Sequence, residues 1–367
     1  MKIVLVAGAR PNFMKVAPVL AELRSYPEEF VPILVHTGQH YDHEMSSIFF
    51  SDLELPPPDF HLGARSDDPV AQTAHILTGF DSVLRAEKPD LVAVVGDTTS
   101  TLACALAASK GDVPVAHVEA GLRSGDRRMP EELNRIATDA LADVLFTYSE
   151  DSDANLKAEN VPASCIFRVG NVMIDTMVRM RPRAASSTVR EDLGLASGGY
   201  AVATLHRPSN VDDVQTLEGI AQAFARIQER NPIVFPVHPR TRKSIESSGL
   251  APSFAKMERV CLSGPMGYLD LLKLLENARM VLTDSGGLQE ETTVLKVPCL
   301  TLRSNTERPI TVEMGTNVLV GSEPDRIVGE AFRVLEGKSK KGRIPDLWDG
   351  HSAERLVTVL RRGVDRR

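Results

Sequence analysis

The stretch KIVLVAGARP, residues 2–11, sets the pattern on which the fold is built. An apolar run rich in β-branched residues ends at Gly8, and Arg10 and Pro11 follow it. A short continuous apolar run of this kind is typical of a strand buried on both faces of a parallel sheet. The run is too short to cross a bilayer and does not resemble a signal peptide, so we expect a buried strand.

The same pattern repeats along the chain. Amphipathic segments such as VAPVLAELRS, residues 16–25, separate the apolar runs. Alternating strands and helices predict parallel sheets. We therefore expect an α/β fold with two Rossmann-like, doubly wound parallel-sheet domains. The further predicted strands are VPILVH, LVAVVG, VPVAHV, DVLFTY and CIFRVG in the first half, and YAVATLH, NPIVFPV, RVCLSG, ARMVLTD, VPCLTLR and TNVLVG in the second.

Length and composition favour two domains. A chain of 367 residues with 43% hydrophobic and 25% charged residues is too long for one ordinary core. Residues 180–200, MRPRAASSTVREDLGLASGGY, are rich in Pro, Ser and Gly, which is typical of a linker. We expect an N-terminal domain over 1–175 and a C-terminal domain over 176–351, facing each other across a cleft. A C-terminal helix at about 352–367 could pack back on the first domain.

Charge and cysteine content argue against several classes of protein. The formal net charge of −7 argues against broad nucleic-acid binding, which needs a basic face. The four cysteines are far apart and form no CxxC pair, so neither a disulfide framework nor a zinc site is predicted. His40 and His43 have a spacing that metal ligands can have, but no third ligand accompanies them, and we expect no metal site. We expect a cytoplasmic protein without membrane association.

Polar side chains follow several predicted strands at the point where each strand ends. In open parallel sheets, ligands bind at this edge, where loops meet helix N-termini. Residues with this placement recur in both halves of the chain, which favours a ligand site formed by two facing domains. They are Arg10, Asp97 and Glu119 in the first half and His206, Arg207, His238 and Ser285 in the second.

These residues also have purely structural interpretations. Asp97 and Ser285 precede predicted helices and could serve only as helix N-caps. His206 and His238 could be surface residues, and Lys15 could be a solvated residue of the first helix. Their shared position near strand ends favours function over these alternatives.

The segment TDSGGLQEE, residues 283–291, has the composition of an anion site. Two glycines before a helix leave backbone N–H groups free to face an anion, with the positive end of the helix dipole behind them. Neither GxGxxG nor GxxxxGK[ST] occurs in the sequence, so neither a dinucleotide fingerprint nor a P-loop is predicted. We expect no cofactor.

Nine blocks stand in order along the chain: GARPNFMKVAPV, HTGQH, GDTTSTLA, HVEAGLRSGDRRMPEELNR, GNVMIDT, TLHRPSNVDD, PVHPRTRK, TDSGGLQEE and TERPITVEMGTN. Together they resemble the non-hydrolysing UDP-N-acetylglucosamine 2-epimerase family over nearly the whole chain. The resemblance implies a GT-B-like fold with UDP in the cleft. It implies an isomerase that interconverts UDP-N-acetylglucosamine and UDP-N-acetylmannosamine by eliminating UDP, forming a 2-acetamidoglucal intermediate and adding UDP back. It further implies a homodimer that serves polysaccharide biosynthesis.

The resemblance also implies roles for individual residues. The catalytic residues would be Asp97, Glu119, Glu131, His206 and Lys15. The UDP-sugar would be bound by Arg10, Arg135, His238, Ser285, Gly286, Gly287, Glu291 and Arg308, with Glu291 on the ribose hydroxyls.

The block at residues 117–135 gathers acids and bases in one loop. Glu119 and Glu131 would face the sugar, while Arg123 and Arg135 would hold the loop in place. Asp126, Arg127 and Arg128 are expected to form a solvated surface.

Two blocks depart from the best-known bacterial pattern. HYDHEMSS follows Gln39 where the family has HRxMLDQ, and HRPS stands at 206–209 where the family has HRRE. Allosteric activation by substrate is therefore not implied. The HRPSN form is similar to relatives that act on UDP-2,3-diacetamido-2,3-dideoxyglucuronate, so a 2-epimerase of that sugar is an alternative. A GT-B glycosyltransferase is another.

Overall fold

The computed structural model describes residues 1–39 and 50–363. It divides the chain into Met1–Arg179 with Asp346–Arg367, here called unit 1, and Met180–Pro345, called unit 2. The histidines considered above as metal ligands, His40 and His43, lie outside the described residues. Within the described ranges, none of the helices combines the length and the apolar character that a membrane span requires.

Unit 1 is built on a parallel sheet of seven strands in the order β3-β2-β1-β4-β5-β6-β7. The strands are β1 Lys2–Ala7, β2 Val31–His36, β3 Phe60–His61, β4 Leu91–Val95, β5 Val115–Val118, β6 Val144–Thr147 and β7 Ile166–Arg168. Its described helices are Arg10–Arg24, Pro69–Glu87, Thr99–Lys110, Pro130–Leu141, Glu150–Ala158 and Ser352–Arg361, with a 3-10 turn at Ala163–Cys165. The helix Val172–Ala184 begins in unit 1 and ends in unit 2. The direction of the strand order reverses between β1 and β4, which is the topological switch point of this sheet.

Unit 2 is built on a parallel sheet of six strands in the order β10-β9-β8-β11-β12-β13. The strands are β8 Ala201–Thr204, β9 Ile233–Pro236, β10 Val260–Ser263, β11 Met280–Thr283, β12 Cys299–Thr301 and β13 Asn317–Leu319. The helices are Val189–Asp192, Pro208–Val211, Val214–Gln228, Pro239–Ser247, Ala251–Ala255, Tyr268–Glu276, Gly286–Leu295, Pro309–Glu313 and Pro324–Leu335. The switch point of this sheet lies between β8 and β11.

The central strands are buried on both faces, as their composition requires. In unit 2, Leu282 packs with Phe224 in one apolar cluster, and its neighbour Val281 packs with Leu274 in another. Successive side chains of a strand point to opposite faces, so the two clusters lie on the two sides of the sheet. Full burial of one such side chain contributes about 1.5–3 kcal/mol, so the side chains on both faces of the strand stabilise the sheet.

The fold class predicted from the sequence is confirmed, because every apolar run named above contains a strand of one of two parallel sheets. Strand β3 was not predicted. It contributes only Phe60 and His61 to the sheet, and two residues are too few to leave a periodic pattern in the sequence.

The interpretation of residues 180–200 as a linker was wrong for part of the segment. The helix Val172–Ala184 continues through Pro182, and Val189–Asp192 forms a further short helix. A proline in the last turn of a helix removes one hydrogen bond and has few residues after it to disrupt. Composition alone therefore placed the start of the linker several residues too early.

The C-terminal segment completes unit 1. The indole of Trp348 is buried, and its Nε1 donates to the carbonyl oxygen of Tyr148 at 3.0 Å. The carboxylate of Asp175 accepts the backbone N–H groups of Ser352 at 3.1 Å and Ala353 at 2.6 Å. These N–H groups have no partner within the helix Ser352–Arg361, so Asp175 satisfies them and places negative charge at the positive end of that helix.

Candidate functional site

Two of the predicted catalytic residues of unit 1 form a buried ion pair beside the switch point. Lys15, on the helix after β1, places its Nζ against Oε2 of Glu119, which follows β5, and both side chains are buried. Glu119 has a φ of 73°, in the left-handed region that favours glycine. Backbone strain of this kind at a non-glycine residue persists only where the surroundings impose it, and it clusters at functional sites.

Gly96 explains how this ion pair approaches the main chain so closely. Its φ is 68°. A Cβ atom at this position would lie 2.7 Å from Nζ of Lys15 and 3.3 Å from Oε2 of Glu119. Only glycine leaves room for the pair and also adopts this conformation without strain.

Asn12 ties the loop after β1 to the end of β4. Its Oδ1 accepts the backbone N–H groups of Gly8 at 3.2 Å and Ala9 at 3.0 Å, and its Nδ2 donates to the carbonyl oxygen of Val95 at 3.1 Å. The backbone of Arg10 begins the helix Arg10–Arg24, but the side chain of Arg10 lies outside the described part of the structure. Its predicted contact with UDP therefore remains a prediction.

Asp97 is held by Arg135 and is not the cap of the helix that follows it. Nη2 of Arg135 lies 2.5 Å from Oδ2 of Asp97, and Arg135 itself is only 1% exposed. Nδ2 of Asn134 donates to the carbonyl oxygen of Asp97 at 2.9 Å. The N-cap of Thr99–Lys110 is Thr98, whose side chain accepts the N–H of Thr101. Arg135 therefore orients Asp97 in this structure, and its predicted contact with the UDP-sugar remains a prediction.

The adjacent residues Glu131 and Glu132 have different environments. Glu132 is buried and accepts hydrogen bonds from the backbone N–H groups of Ser124 at 2.9 Å and Gly125 at 2.9 Å, while Nη1 of Arg135 lies 2.8 Å from its Oε2. Glu131 is half-buried, and its side chain forms no hydrogen bond with residues 1–39 or 50–363. The sequence analysis did not predict that Glu132 binds the loop and Arg135. The spacing of three residues between Glu132 and Arg135 is a weak signal of such a pair on one helix.

The rest of this loop agrees with the sequence interpretation. Arg123 pairs with Asp139 at 2.7 Å and with Glu159 at 2.6 Å, so it fixes the loop to two helices. Asp126 and Arg128 pair with each other at 2.8 Å on the surface. Their hydrogen bonds lower the pKa of Asp126 to about 2.

His206 of unit 2 is oriented by a buried carboxylate that the sequence analysis did not single out. Nδ1 of His206 lies 2.9 Å from Oδ1 of Asp284, and Asp284 also accepts the backbone N–H groups of His206 and Arg207. Burial alone would raise the pKa of Asp284, but the hydrogen bond and charge of His206 and these N–H groups lower it below its ordinary value. With Nδ1 engaged by the carboxylate, the imidazole is fixed in orientation with its Nε2 on the opposite side of the ring. The signal in the sequence was the Asp of TDSGG, one residue before Ser285.

The helix Gly286–Leu295 begins directly after β11 with Ser285 at the N-cap position. The Ser285 side chain makes no capping hydrogen bond, so the structure does not show the purely capping role considered above. Ser285, Gly286 and Gly287 are half-exposed at the positive end of the helix. Unpaired N–H groups and the dipole at such an end suit an anion.

Arg308 lies behind this helix start in a buried cluster of opposite charges. Its Nε lies 2.7 Å from Oε1 of Glu290, and its Nη1 contacts Glu307. Burial would raise the pKa of Glu307, but the charges of Arg308, Arg303 and Arg207 hold it well below its ordinary value. A Cβ atom on Gly286 would lie 2.5 Å from Nη1 of Arg308. The geometry therefore favours a role for Arg308 in supporting the first turn of the helix.

The predicted ribose-binding residue Glu291 is only 2% exposed. The hydroxyl of Tyr268 donates to its Oε1 at 2.7 Å. Burial raises the pKa of Glu291 to about 7, with a further contribution from Glu290, although the Tyr268 hydrogen bond lowers it. Glu291 therefore lies at the boundary between charged and neutral near pH 7.

His238 follows β9 as the N-cap of the helix Pro239–Ser247. Its Nδ1 accepts the backbone N–H of Arg240 at 3.2 Å. The rings of His238 and His206 are 5.9 Å apart between centroids. The switch point of unit 2 thus brings together His206, His238 and the start of the helix Gly286–Leu295.

The fold and the position of these side chains show which class of protein this is. Both units are doubly wound parallel α/β folds, and the charged and polar side chains described above follow the carboxyl ends of central strands. Such proteins bind ligands at this edge of the sheet. The family follows from comparison with known proteins. The family model described as UDP-N-acetylglucosamine 2-epimerase matches residues 22–361. The chain belongs to this epimerase family, as its sequence blocks predicted.

Similar proteins cover essentially the same length. A UDP-N-acetylglucosamine 2-epimerase homolog from Methanococcus maripaludis is 45% identical, over 98% of this chain and 99% of its own. A UDP-2,3-diacetamido-2,3-dideoxy-D-glucuronate 2-epimerase from Pseudomonas aeruginosa is also 45% identical, over 98% and 99%. The crystal structure of Methanocaldococcus jannaschii UDP-GlcNAc 2-epimerase in complex with UDP-GlcNAc and UDP has a TM-score of 0.90 and 40% identity, over 99% of this chain and 100% of that one.

Glu291 leads to a prediction about the pH dependence of stability. Its carboxyl has a pKa of about 7 in the folded protein, raised from 4.5, so between these values the folded state holds a proton that the unfolded chain has lost. The contribution of Glu291 to the free energy of unfolding is therefore complete below about pH 4.5 and declines as the pH rises to about 7. The variant Glu291→Gln has no such proton and should lack this part of the decline.

Denaturant unfolding of the whole protein at about pH 5, 6, 7 and 8 measures this difference. Tyr268→Phe is the matched control. It removes the hydroxyl that lowers the pKa of Glu291, so its decline should continue to higher pH than that of the unmodified protein. Parallel curves for the unmodified protein and Glu291→Gln would contradict the assignment.

Proposed function

We propose that this chain is a non-hydrolysing 2-epimerase that interconverts UDP-N-acetylglucosamine and UDP-N-acetylmannosamine. In this proposal UDP leaves carbon 1 and a proton leaves carbon 2, which forms a 2-acetamidoglucal intermediate. UDP then adds back to carbon 1, and a proton adds to the opposite face of carbon 2. The observation that carries the proposal is the buried Lys15–Glu119 pair on a strained backbone, with Asp97 oriented by Arg135 at the same sheet edge. Membership of the epimerase family supports it.

The chemistry explains why acids and a phosphate-binding group are both needed. Carbon 2 of the sugar is not adjacent to a carbonyl group, so its proton is poorly acidic. Loss of UDP from carbon 1 together with that proton avoids a free carbanion. The reaction then needs groups that take and return a proton at carbon 2, and groups that stabilise the negative charge on UDP as it leaves.

Unit 2 supplies the groups proposed to bind UDP. Backbone N–H groups at Gly286 and Gly287, with the helix dipole behind them, would contact the diphosphate. His206, oriented by Asp284, would donate to the oxygen that leaves carbon 1. One well-placed donor to a developing oxyanion contributes about 2.7–4 kcal/mol to the lowering of a barrier.

Unit 1 supplies the groups proposed to move the proton. Glu131 is half-buried and its side chain forms no hydrogen bond with the described residues, which makes it the candidate for direct proton transfer on one face. Glu119, paired with Lys15, would serve the opposite face. Asp97, held by Arg135, would fix the sugar between them. No cofactor or metal is required, and a cytoplasmic homodimer remains our expectation.

A second substrate has a specific observation in its favour. The relative from Pseudomonas aeruginosa, named as an epimerase of UDP-2,3-diacetamido-2,3-dideoxy-D-glucuronate, is as similar in sequence as the Methanococcus relative above. The HRPSN block at 206–210 is similar to that group. Both substrates would undergo the same elimination, so the choice between them concerns the sugar and not the reaction type.

The reaction is tested by NMR in heavy water. We expect purified protein and UDP-N-acetylglucosamine, without added metal or nicotinamide cofactor, to give two UDP-sugars that both carry deuterium at carbon 2. The deuterium appears because the proton taken from carbon 2 exchanges with solvent before another is returned. Parallel incubation with the diacetamido-glucuronate substrate compares the two sugars by kcat/KM.

Other outcomes would replace the proposal. Free N-acetylmannosamine with UDP would indicate a hydrolysing epimerase. Transfer of the sugar to an added acceptor, without deuterium at carbon 2, would indicate a glycosyltransferase.

The adjacent glutamates give a matched pair of variants. Glu131→Gln should reduce the rate of deuterium incorporation by about 10²- to 10⁴-fold, the range for loss of a general acid or base. It should leave stability unchanged, because Glu131 holds no other described residue. Glu132→Gln should lower the free energy of unfolding by about 2 kcal/mol, because it loses charge-assisted hydrogen bonds to the loop and to Arg135. Full exchange activity in Glu131→Gln would contradict the proposed role of Glu131 in proton transfer.

Gly286→Ala tests the proposed diphosphate site. The new Cβ would displace Arg308 and disturb the first turn of the helix, so we expect UDP to bind about 10- to 100-fold more weakly, as for loss of a hydrogen bond to a charged group. Gly329→Ala is the control, because its Cβ would meet no atom within 4 Å. Calorimetric titration with UDP measures the affinity of both variants. Equal affinities of Gly286→Ala and Gly329→Ala would indicate that the diphosphate binds elsewhere.

A further inference from the structure

His117 is a buried residue to which neither the sequence blocks nor the proposed reaction assigns a role. It lies in β5, two residues before Glu119, and is 0% exposed. Its Nδ1 is 2.6 Å from Oδ1 of Asp139. Its Nε2 is 2.7 Å from the carbonyl oxygen of Gly96. Both ring nitrogens therefore have close partners in the protein interior.

Asp139 is an ionised carboxylate in this arrangement. Nη2 of Arg123 lies 2.7 Å from its Oδ2, and the backbone N–H of Gly121 donates to the same oxygen at 3.1 Å. Burial would raise the pKa of Asp139, but His117 and Arg123 lower it below its ordinary value. An ionised carboxylate can only accept hydrogen bonds.

The two groups that face the His117 ring are therefore both acceptors. A backbone carbonyl also only accepts, and a neutral imidazole carries a single N–H. Two contacts of 2.6 and 2.7 Å need an N–H on each nitrogen, which only the imidazolium has. The adjacent carboxylate of Asp139 compensates this buried positive charge.

The contact with Gly96 connects this charge to the predicted catalytic residues. The N–H of Gly96 donates to the carbonyl oxygen of Val118 at 3.0 Å, and its own carbonyl accepts from His117, so both polar groups of Gly96 are fixed to β5 or its side chains. Gly96 forms the surface beneath the Lys15–Glu119 pair. The next residue in the chain is Asp97.

We propose that His117 is a positioning residue for the epimerisation. As an imidazolium held by Asp139, it fixes the carbonyl of Gly96 and so sets the direction of Asp97 relative to the Lys15–Glu119 pair. The proposal rests on the proposed function, which assigns these three residues to the sugar. It does not place His117 in contact with substrate.

Two substitutions separate the two hydrogen bonds of His117. The side-chain nitrogen of Asn occupies the place of Nδ1, so His117→Asn keeps a donor to Asp139 and loses the donor to Gly96. The side-chain nitrogen of Gln occupies the place of Nε2, so His117→Gln keeps the donor to Gly96. In His117→Gln, Asp139 retains Arg123 and the N–H of Gly121.

We expect His117→Asn to reduce kcat by about 10²-fold, the scale for a misplacement of catalytic groups by about 1 Å, with KM little changed. His117→Gln should retain most of the kcat of the unmodified protein. Rescue by Gln and not by Asn would not follow from a role in packing alone if the two variants have equal free energies of unfolding, which denaturant titration measures. Equal loss in both variants, or full kcat in His117→Asn, would overturn the proposal.

A second measurement needs no variant to be active. In unmodified protein labelled with ¹⁵N-histidine, we expect one buried ring with slowly exchanging protons on both nitrogens, assigned by its absence in His117→Asn or His117→Gln. A ring with one protonated nitrogen would overturn the imidazolium assignment. Absence of any epimerase activity in the unmodified protein would instead contradict the proposed function, and the NMR result would still decide the state of His117.

Discussion

A carboxylate that leaves water must be compensated by a cation or by N–H donors, and this constraint organises both units. Glu119 is paired with Lys15, Asp97 with Arg135, and Asp284 with His206. Leaving a buried carboxylate such as Glu119 without its partner would cost several kcal/mol, so the Lys15–Glu119 pair fixes the orientation of both members. The acids proposed to act on the sugar, apart from Glu131, are therefore held in one geometry before any ligand arrives.

The ion pairs lie in different places in the two units. In unit 1, ion pairs lie directly beside the switch point, where they hold carboxylates at the sheet edge. In unit 2, the cluster of Glu290, Glu307 and Arg308 lies behind the helix start and leaves the N–H groups of Gly286 and Gly287 in front. A glycine at 286 is needed because the guanidinium of Arg308 occupies the space of a side chain. One sheet edge thus presents acids and the other presents donors, the two kinds of group that the proposed elimination of UDP would need.

Sequence patterns predicted the sheets well because a strand buried on both faces must be apolar along its whole length, as in KIVLVA. They also predicted which strand ends carry charged residues. They could not show partners that are distant along the chain, such as Asp139 for His117 or Asp284 for His206, because nothing in the local pattern links them. They did not separate Glu131 from Glu132 either, since two adjacent acids in one helical turn differ only in what the fold places around them. The partners that Arg135 and Arg308 have in the structure, Asp97 and Glu290, could not be predicted for the same reason.

The return of the chain to unit 1 after Pro345 affects how the protein is made. Unit 2 is a continuous segment, so all of its residues have been synthesised before the ribosome reaches the codon for Trp348. Unit 1 waits for Trp348 and the helix Ser352–Arg361 to emerge, although it was begun first. Until then the pocket around Tyr148 and the carboxylate of Asp175 lack their partners. A nascent chain that stops short of Trp348 would carry a finished second unit attached to an unfinished first one, a form that chaperones and proteases recognise by its exposed apolar surface.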